Sequence, residues 1–460
     1  MEEILKNHII GAKRISRLQK SASILAMSLA MSSFSFSSEA QIAPETDAEC
    51  EIVNEEAICE GDLSEGVVAN FAGPSFNTLT IQNVTGPIAP AAGVGGVVFI
   101  SDTTAVNINV EDGVIINTDN STDEGGMGIF GQTQTGDINI TSGAEINTDG
   151  RSFSAIGILG LSTSDLGDVT IDNSGDITVT TSAQRSGGIS GQRLTEGGRV
   201  TVTNTGDITA TSTSVGERDE ALSAIGASSA VGADEIEVIN DGVLRIQTAA
   251  GNTDTDLAGA AAAILTNNFD SNGTTSILNT NMIFTNGPGA DGIVGVISSA
   301  DDAGADLLIT NQGDITLDGE GSFGIVGNSL GGSSNISINN TASISASNGG
   351  NSGGGIFGFA TSEGEPDIGI TNFDIQNSGT ITGDGEFDIG IRISDQGNLS
   401  ESGVNSEIEN TGEITLSGNG RGISVETQTA ETVDAVINNS GDISLANTCL
   451  LYTSPSPRDS

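Results

Sequence analysis

The pattern VTIDNSGDITV at 169–179 returns along the chain as VTVTNTGDITA (200–210), LLITNQGDITL (307–317), SEIENTGEITL (406–416) and AVINNSGDISL (435–445). Looser copies carry NDGVL (240–244), NTNMI (279–283), NTASI (340–344) and NSGTI (377–381), and two degenerate ones surround Gly113 and Gly143. The positions equivalent to the Gly run from 113 to 441 at separations of 29 to 39 residues. A period of that length that survives small insertions marks one structural unit per repeat, with loops of variable length. Between copies lies a second apolar element: GIFG (128–131 and 355–358), GISG (188–191), GIVG (292–295 and 324–327) and GISV (422–425).

Each unit offers three short β segments. Val169 and Ile171 alternate with Thr170 and Asp172, and after the corner Ile177 and Val179 alternate with Asp176 and Thr178. A period of two marks a strand with one dry and one wet face. The run LAGAAAAIL (257–265) is the only weak helix candidate. Three short strands cannot bury an apolar face alone, but stacked coils can, each strand pairing in parallel with its equivalent about 4.8 Å along the axis. The expected fold is all-β, a right-handed parallel β-helix of about eleven coils of roughly 33 residues. A corner Asn recurs as Asn173, Asn204, Asn240, Asn279, Asn311, Asn340, Asn377, Asn410 and Asn439. Stacked amides of this kind can form a hydrogen-bonded Asn ladder. The Gly two residues on is expected to supply a positive φ at the bend. An antiparallel sandwich array with a hairpin at each turn does not explain why the same Asn and Ile recur at one offset.

The ends of the chain differ from the repeats. Residues 1–20 carry Lys6, Lys13, Arg14, Arg17 and Lys20, followed by ASILAMSLAM and small residues ending SSEA. That is a secretory signal layout with a long basic region and a cut after Ala40; its apolar stretch is too short to span a bilayer. Residues 41–100 form an N-terminal cap in which Cys50 and Cys59 are expected to clamp a hairpin, a disulfide of an oxidising compartment. The repeats fill 101–448. The tail 449–460, CLLYTSPSPRDS, back-translates onto the end of a transposase-type sequencing adapter, so it reads as an assembly artefact that cuts the natural frame near Thr448.

Composition removes several chemistries. Between 41 and 448 there are 57 acidic residues and eight basic ones, all Arg, and the sole His, His8, lies in the leader. Ser-His-Asp or Cys-His catalysis lacks its imidazole, His-containing zinc sites lack theirs, and a Lys-based isopeptide is impossible. A chain of formal charge −47 repels a polyanion, so no nucleic acid is expected as partner.

The long basic leader, the Cys50 and Cys59 pair with CEGD, and the NxGxI coils over about 100–445 together resemble the passenger regions of Gram-negative autotransporters and related β-helical adhesins. The resemblance implies export to the cell surface, outer membrane or extracellular space. It also implies an outer-membrane partnership through a C-terminal β-barrel missing from this chain, and adhesion or a surface-structural role, with a receptor or glycan of a host or neighbouring cell as partner. The competing class is a polysaccharide-degrading or polysaccharide-binding β-helix. Glycoside hydrolysis needs two positioned carboxylates, and lyase chemistry a base, for which Arg392 and Arg421 are the only basic residues expected on repeat strands. No catalytic residue is assigned.

Function is expected in loops that break the coil: TSTSVGERDEAL (211–222), TAAGNTDTDLAGAAA (248–262) and FATSEGEPDIG (359–369). GPGADGI (287–293) fits the G-x-G-x-D-x-apolar pattern of calcium-binding β-rolls. There the nonapeptide recurs in tandem, whereas glycine before a strand accounts for this single copy. No cofactor is assigned; calcium is the weaker reading, and diffuse cation screening of the acidic surface the stronger.

Overall fold

The computed structural model describes residues 50–446 except 72–75, 121–125, 151–153, 165–166, 183–184, 214–221, 250–260, 270, 300–303, 332, 348–352, 362–369, 386–387, 396–402, 419 and 428–431. The leader 1–40 and the tail 449–460 therefore lie outside the described residues.

Each turn of chain runs through three strands. In the clearest turn, Val169–Asn173 enters the Asn corner, Ile177–Thr181 leaves it, and Arg185–Arg193 crosses back before Arg199–Asn204 opens the next turn. After the first, antiparallel hairpin, strands pair in parallel with their counterparts one turn on, Asn173 opposite Asn204, Ile177 opposite Ile208 and Ile189 opposite Ile225. Three sheets result. The first, entering the corners, has fourteen strands; the second, leaving them, has eleven; the third, built from the GIxG segments, has twelve. The chain is an all-β parallel β-helix.

About nine turns of roughly 32 residues make up the regular solenoid, against the eleven of 33 expected. The difference lies at the degenerate start. In the two turns before Asn173, the corner position holds Val110 and Ser142, which cannot make the amide contacts of the later turns.

The interior is a set of aliphatic columns. Isoleucine occupies one column of the third sheet without a break, from Ile129 and Ile158 through Ile293 and Ile325 to Ile391 and Ile423. The glycines flanking it are set by space. A Cβ on Gly157 would lie 2.5 Å from Ile177 Cγ2 and 2.6 Å from the Gly188 carbonyl oxygen. On the other side of the Ile, a Cβ on Gly160 would lie 3.0 Å from Val169 Cγ1. One glycine thus admits an Ile of the second sheet and the other a Val of the first. GIxG is the imprint of two sheets closing on a narrow third.

The structure corrects three expectations. Ala261–Asn268 is a strand, so the described part of the LAGAAAAIL run is not helical; alanine's helix preference yields to ladder pairing with Ala290–Ile297. Alternation of one dry and one wet face holds for the first two sheets but fails for the third. Its outer face carries two buried apolar clusters, one around Met127, Phe130, Leu159 and Leu161, the other around Val294, Val296, Phe357 and Phe359. Thirdly, the corner glycines are not left-handed: of those positions only Gly113 has a positive φ, 82°. From Gly175 onward a Cβ at a corner glycine would run into the carbonyl of the preceding turn, as at Gly206 against Gly175 and Gly441 against Gly412. These glycines permit close axial stacking.

Candidate functional site

Cys50 and Cys59 face each other across the antiparallel hairpin formed by Cys50–Val53 and Glu56–Gly61, and they are disulfide-bonded. Cys59 is fully buried against the first aliphatic layer, so the bridge closes the N-terminal end of the core. The hairpin then hands over to parallel pairing, Ala57 opposite Leu79.

The nine corner asparagines form one column. From Asn173 to Asn410 each Nδ2 donates twice, to the carbonyl two residues on in its own turn and to Oδ1 of the Asn in the next, while Asn439 donates to Gly441 O. Asn173 donates to Gly175 O at 2.7 Å and to Asn204 Oδ1 at 2.8 Å. The pattern repeats through Asn240, Asn279, Asn311, Asn340 and Asn377 to Asn410, which donates to Asn439 Oδ1 at 2.7 Å. The column therefore has a direction. Its acceptor end is Asn173 Oδ1, buried without a hydrogen-bond partner because Ser142 precedes it; its donor end is the exposed Asn439. The ladder holds the coil register and is too buried to meet a ligand.

A second column was not foreseen from sequence. The Asp after the corner Gly accepts from the backbone of the next turn: Asp176 Oδ1 from Asp207 N–H at 2.9 Å, Asp207 from Val243, and Asp314 from Ser343. At another edge Asp137 accepts from Asp168 N–H and Asp168 from Arg199 N–H. These exposed carboxylates act as axial staples. Outward amides stack likewise, Asn405 donating to Asn372, Asn372 to Asn335, and Asn335 to Asp306.

Arg392 and Arg421 do meet, on the last two strands of the third sheet. Arg392 Nη2 lies 2.8 Å from Glu426 Oε2, Arg421 pairs with the other carboxylate oxygen, and the Arg392 guanidinium sits 5.4 Å from the Phe357 ring centroid. Burial pulls the Arg392 guanidinium below its ordinary value, Glu426 opposing. The two arginines share the single Glu426 carboxylate in a structural contact. Arg185, Arg193, Arg199 and Arg245 also lie on strands, so these two are not the only strand cations. Arg193 is fully buried and donates to Ser164 O and Glu196 O, bracing a bend rather than facing a groove.

Asp388 is a carboxylate with a perturbed titration. It is fully buried at the bend between Ile381–Gly383 and Ile389–Asp395, pressed against Gly383 and Gly385. Burial raises its carboxyl above the usual range and the Asp384 charge adds to this, while backbone donors from Gly385 and Gly353 oppose. In the calcium-like segment 287–293, Gly287 and Gly289 adopt positive φ, and buried Asp291 accepts from Phe323 N–H at 2.7 Å. Its carboxylate anchors the adjacent turn. Among the described residues no group of three or more His, Cys, Asp or Glu could hold a metal ion, and no helix is long and apolar enough to cross a membrane. The three loops expected to carry function fall largely outside the described residues, at 214–221, 250–260 and 362–369.

No protein-family model matches this chain, and neither a curated protein nor a solved structure is similar to it.

Proposed function

We propose that the chain is an exported, surface-displayed β-helical passenger with an adhesive or cell-surface structural role. The observation that carries this reading is the axial repetition of polar groups on the outer faces. Thr178 stands in register with Thr209, and Asn335, Asn372 and Asn405 line up turn after turn. Such a surface presents many equivalent hydrogen-bonding groups along a rod, which suits multivalent contact with a glycan or cell surface. The disulfide-closed first hairpin supports an oxidising destination, and the formal charge of −47 keeps such rods apart in solution.

The test is direct. The purified chain should bind cells or a glycan array without releasing sugar from a polysaccharide panel. Turnover of any polysaccharide, with no binding to cells, favours the enzyme class and ends this reading. Attachment to the outer membrane through a C-terminal barrel belongs to the same proposal, and genomic sequence past the Thr448 codon tests it.

A further inference from the structure

The third residue after each corner Asn is polar in every turn from Asn173 to Asn439 but two, and there it is Val243 and Met282. These two adjacent turns lie in the middle of the solenoid, and the second breaks the pattern again. Asn281 replaces the corner Gly; its Nδ2 donates to Asp241 O at 2.7 Å, and its Oδ1 accepts from Met282 N–H at 2.8 Å. Thr280 Oγ1 donates to Asp241 Oδ1 at 2.7 Å. The corner is thus rebuilt on side-chain hydrogen bonds, and the carboxylate staple gives way to apolar side chains that face water. Met282 is 42 % exposed, and Phe284, two residues on along the outer face of the second sheet, is 36 % exposed. The Arg245 guanidinium lies 5.6 Å from the Phe284 ring centroid, and Thr316 is the register neighbour on the other side. On the first sheet the same stretch carries Leu308, 44 % exposed, and half-buried Ile239 and Leu278, where the flanking turns hold Thr203 and Thr310. Single exposed apolar residues are ordinary, but a group of them on turns that break the repeat and compensate for the break marks a site of interaction.

We propose that the window around Met282 and Phe284 is a docking site for a basic segment of a partner protein, one with apolar side chains between its Lys or Arg residues. Charge complementarity chooses this occupant. By register Val243 and Met282 are bracketed along the axis by Asp207 and Asp314, both exposed, as are Asp241 at the corner and Asp318 beside Asn286. The one cation among them, Arg245, already lies 3.6 Å from Asp207. A chain of −47 repels a second copy of itself and an acidic glycan, and draws in a cation. The apolar side chains of such a segment pack on Met282, whose unbranched thioether adapts to varied shapes. Its Lys or Arg side chains reach the bracketing carboxylates or the Phe284 ring. This window is separate from the repeated polar rows behind the adhesive reading, so either can fail alone.

Fluorescence anisotropy on the full chain tests this with a labelled peptide of alternating Lys and Leu, and with a Lys/Ser peptide of equal charge as control. The Lys/Leu peptide should bind roughly tenfold or more tighter than Lys/Ser, with an affinity that falls as salt rises. Met282→Asp and Phe284→Thr introduce the residue types that Asp314 and Thr316 supply one turn on, so the coil is kept, and circular dichroism checks that it is. Each should weaken Lys/Leu binding by roughly tenfold or more. Met282→Asp is the sharper of the two, because an added negative charge tightens a contact that is only electrostatic. Thr178→Ala, in a regular turn, should leave binding unchanged. Equal affinity for Lys/Leu and Lys/Ser overturns the proposal, and so does unchanged or tighter Lys/Leu binding by the Met282→Asp chain. It also fails if Phe284→Thr abolishes self-association in sedimentation, or binding to a glycan array, while peptide binding persists; the occupant is then a second copy or a sugar.

Discussion

Asn240 makes three hydrogen bonds through one buried amide, donating to Gly242 O and Asn279 Oδ1 and accepting from Asn204. Truncation strands a donor on one side and an acceptor on the other, both shielded from water. Asn240→Ala should therefore cost roughly 2–4 kcal/mol, and Asn439→Ala, at the exposed last rung, about 1 kcal/mol or less. Urea midpoints check this, and equal losses would mean the ladder is not what holds the register. Asp388 acts in the opposite sense. Its carboxyl is raised in the folded chain, so the native state binds that proton more tightly than the unfolded one. The stability linked to it is full below the unfolded value of about 3.9 and is lost as pH rises through the folded one. Asp388→Asn should raise the urea midpoint at pH 7, with a gain that fades as pH falls toward 4; a gain independent of pH refutes the assignment. The Asn column was legible because one residue type recurs at one offset. The staple made by Asp176 was not, because an acid beside a strand reads equally well as a solvated one until axial register shows its acceptor meeting Asp207 N–H.

The strands show where periodicity informs and where it misleads. Alternation in Ile177–Thr181 assigns both faces correctly, since Ile177 and Val179 are buried and Thr178 is exposed. In the third sheet the same reading sees only the inward Ile of GIFG. Phe357 and Phe359 flank Gly358 on the outside and stack toward Phe323, with centroids 5.1 and 5.8 Å apart along the run. A strand dry on both faces has no alternation to read. The GIxG glycines were visible as a motif but their packing role was not, because close approach between strands distant in sequence leaves no local trace. Their role predicts a contrast. Gly157→Ala puts a methyl 2.5 Å from Ile177 Cγ2 and should cost about 1–3 kcal/mol through overpacking. Gly86→Ala, with nothing within 4 Å, should be near neutral. Thermal melts decide it, and a mild effect at Gly157 would mean that the second-sheet column yields.

On the scale of the whole rod, each turn touches only its two neighbours, so stability is a sum of adjacent contacts and damage spreads by steps. The ends then matter more than the middle. The Cys50 and Cys59 bridge closes a short loop, worth roughly 2–3 kcal/mol in the chain-entropy account, and it secures the first turn against a buried layer that includes Leu79 and Ile81. Opening it removes the restraint on one end and leaves every contact between later turns in place. Reduction should accelerate hydrogen exchange in Glu56–Gly61 and Thr78–Val84 first. Gly403–Asn410, ten strands beyond Thr78–Val84 in the first sheet, should keep its protection. Exchange by mass spectrometry before and after reduction reads both regions in one experiment. Simultaneous loss at the two ends would show that the solenoid unfolds as a single cooperative unit and that nearest-neighbour additivity does not describe it.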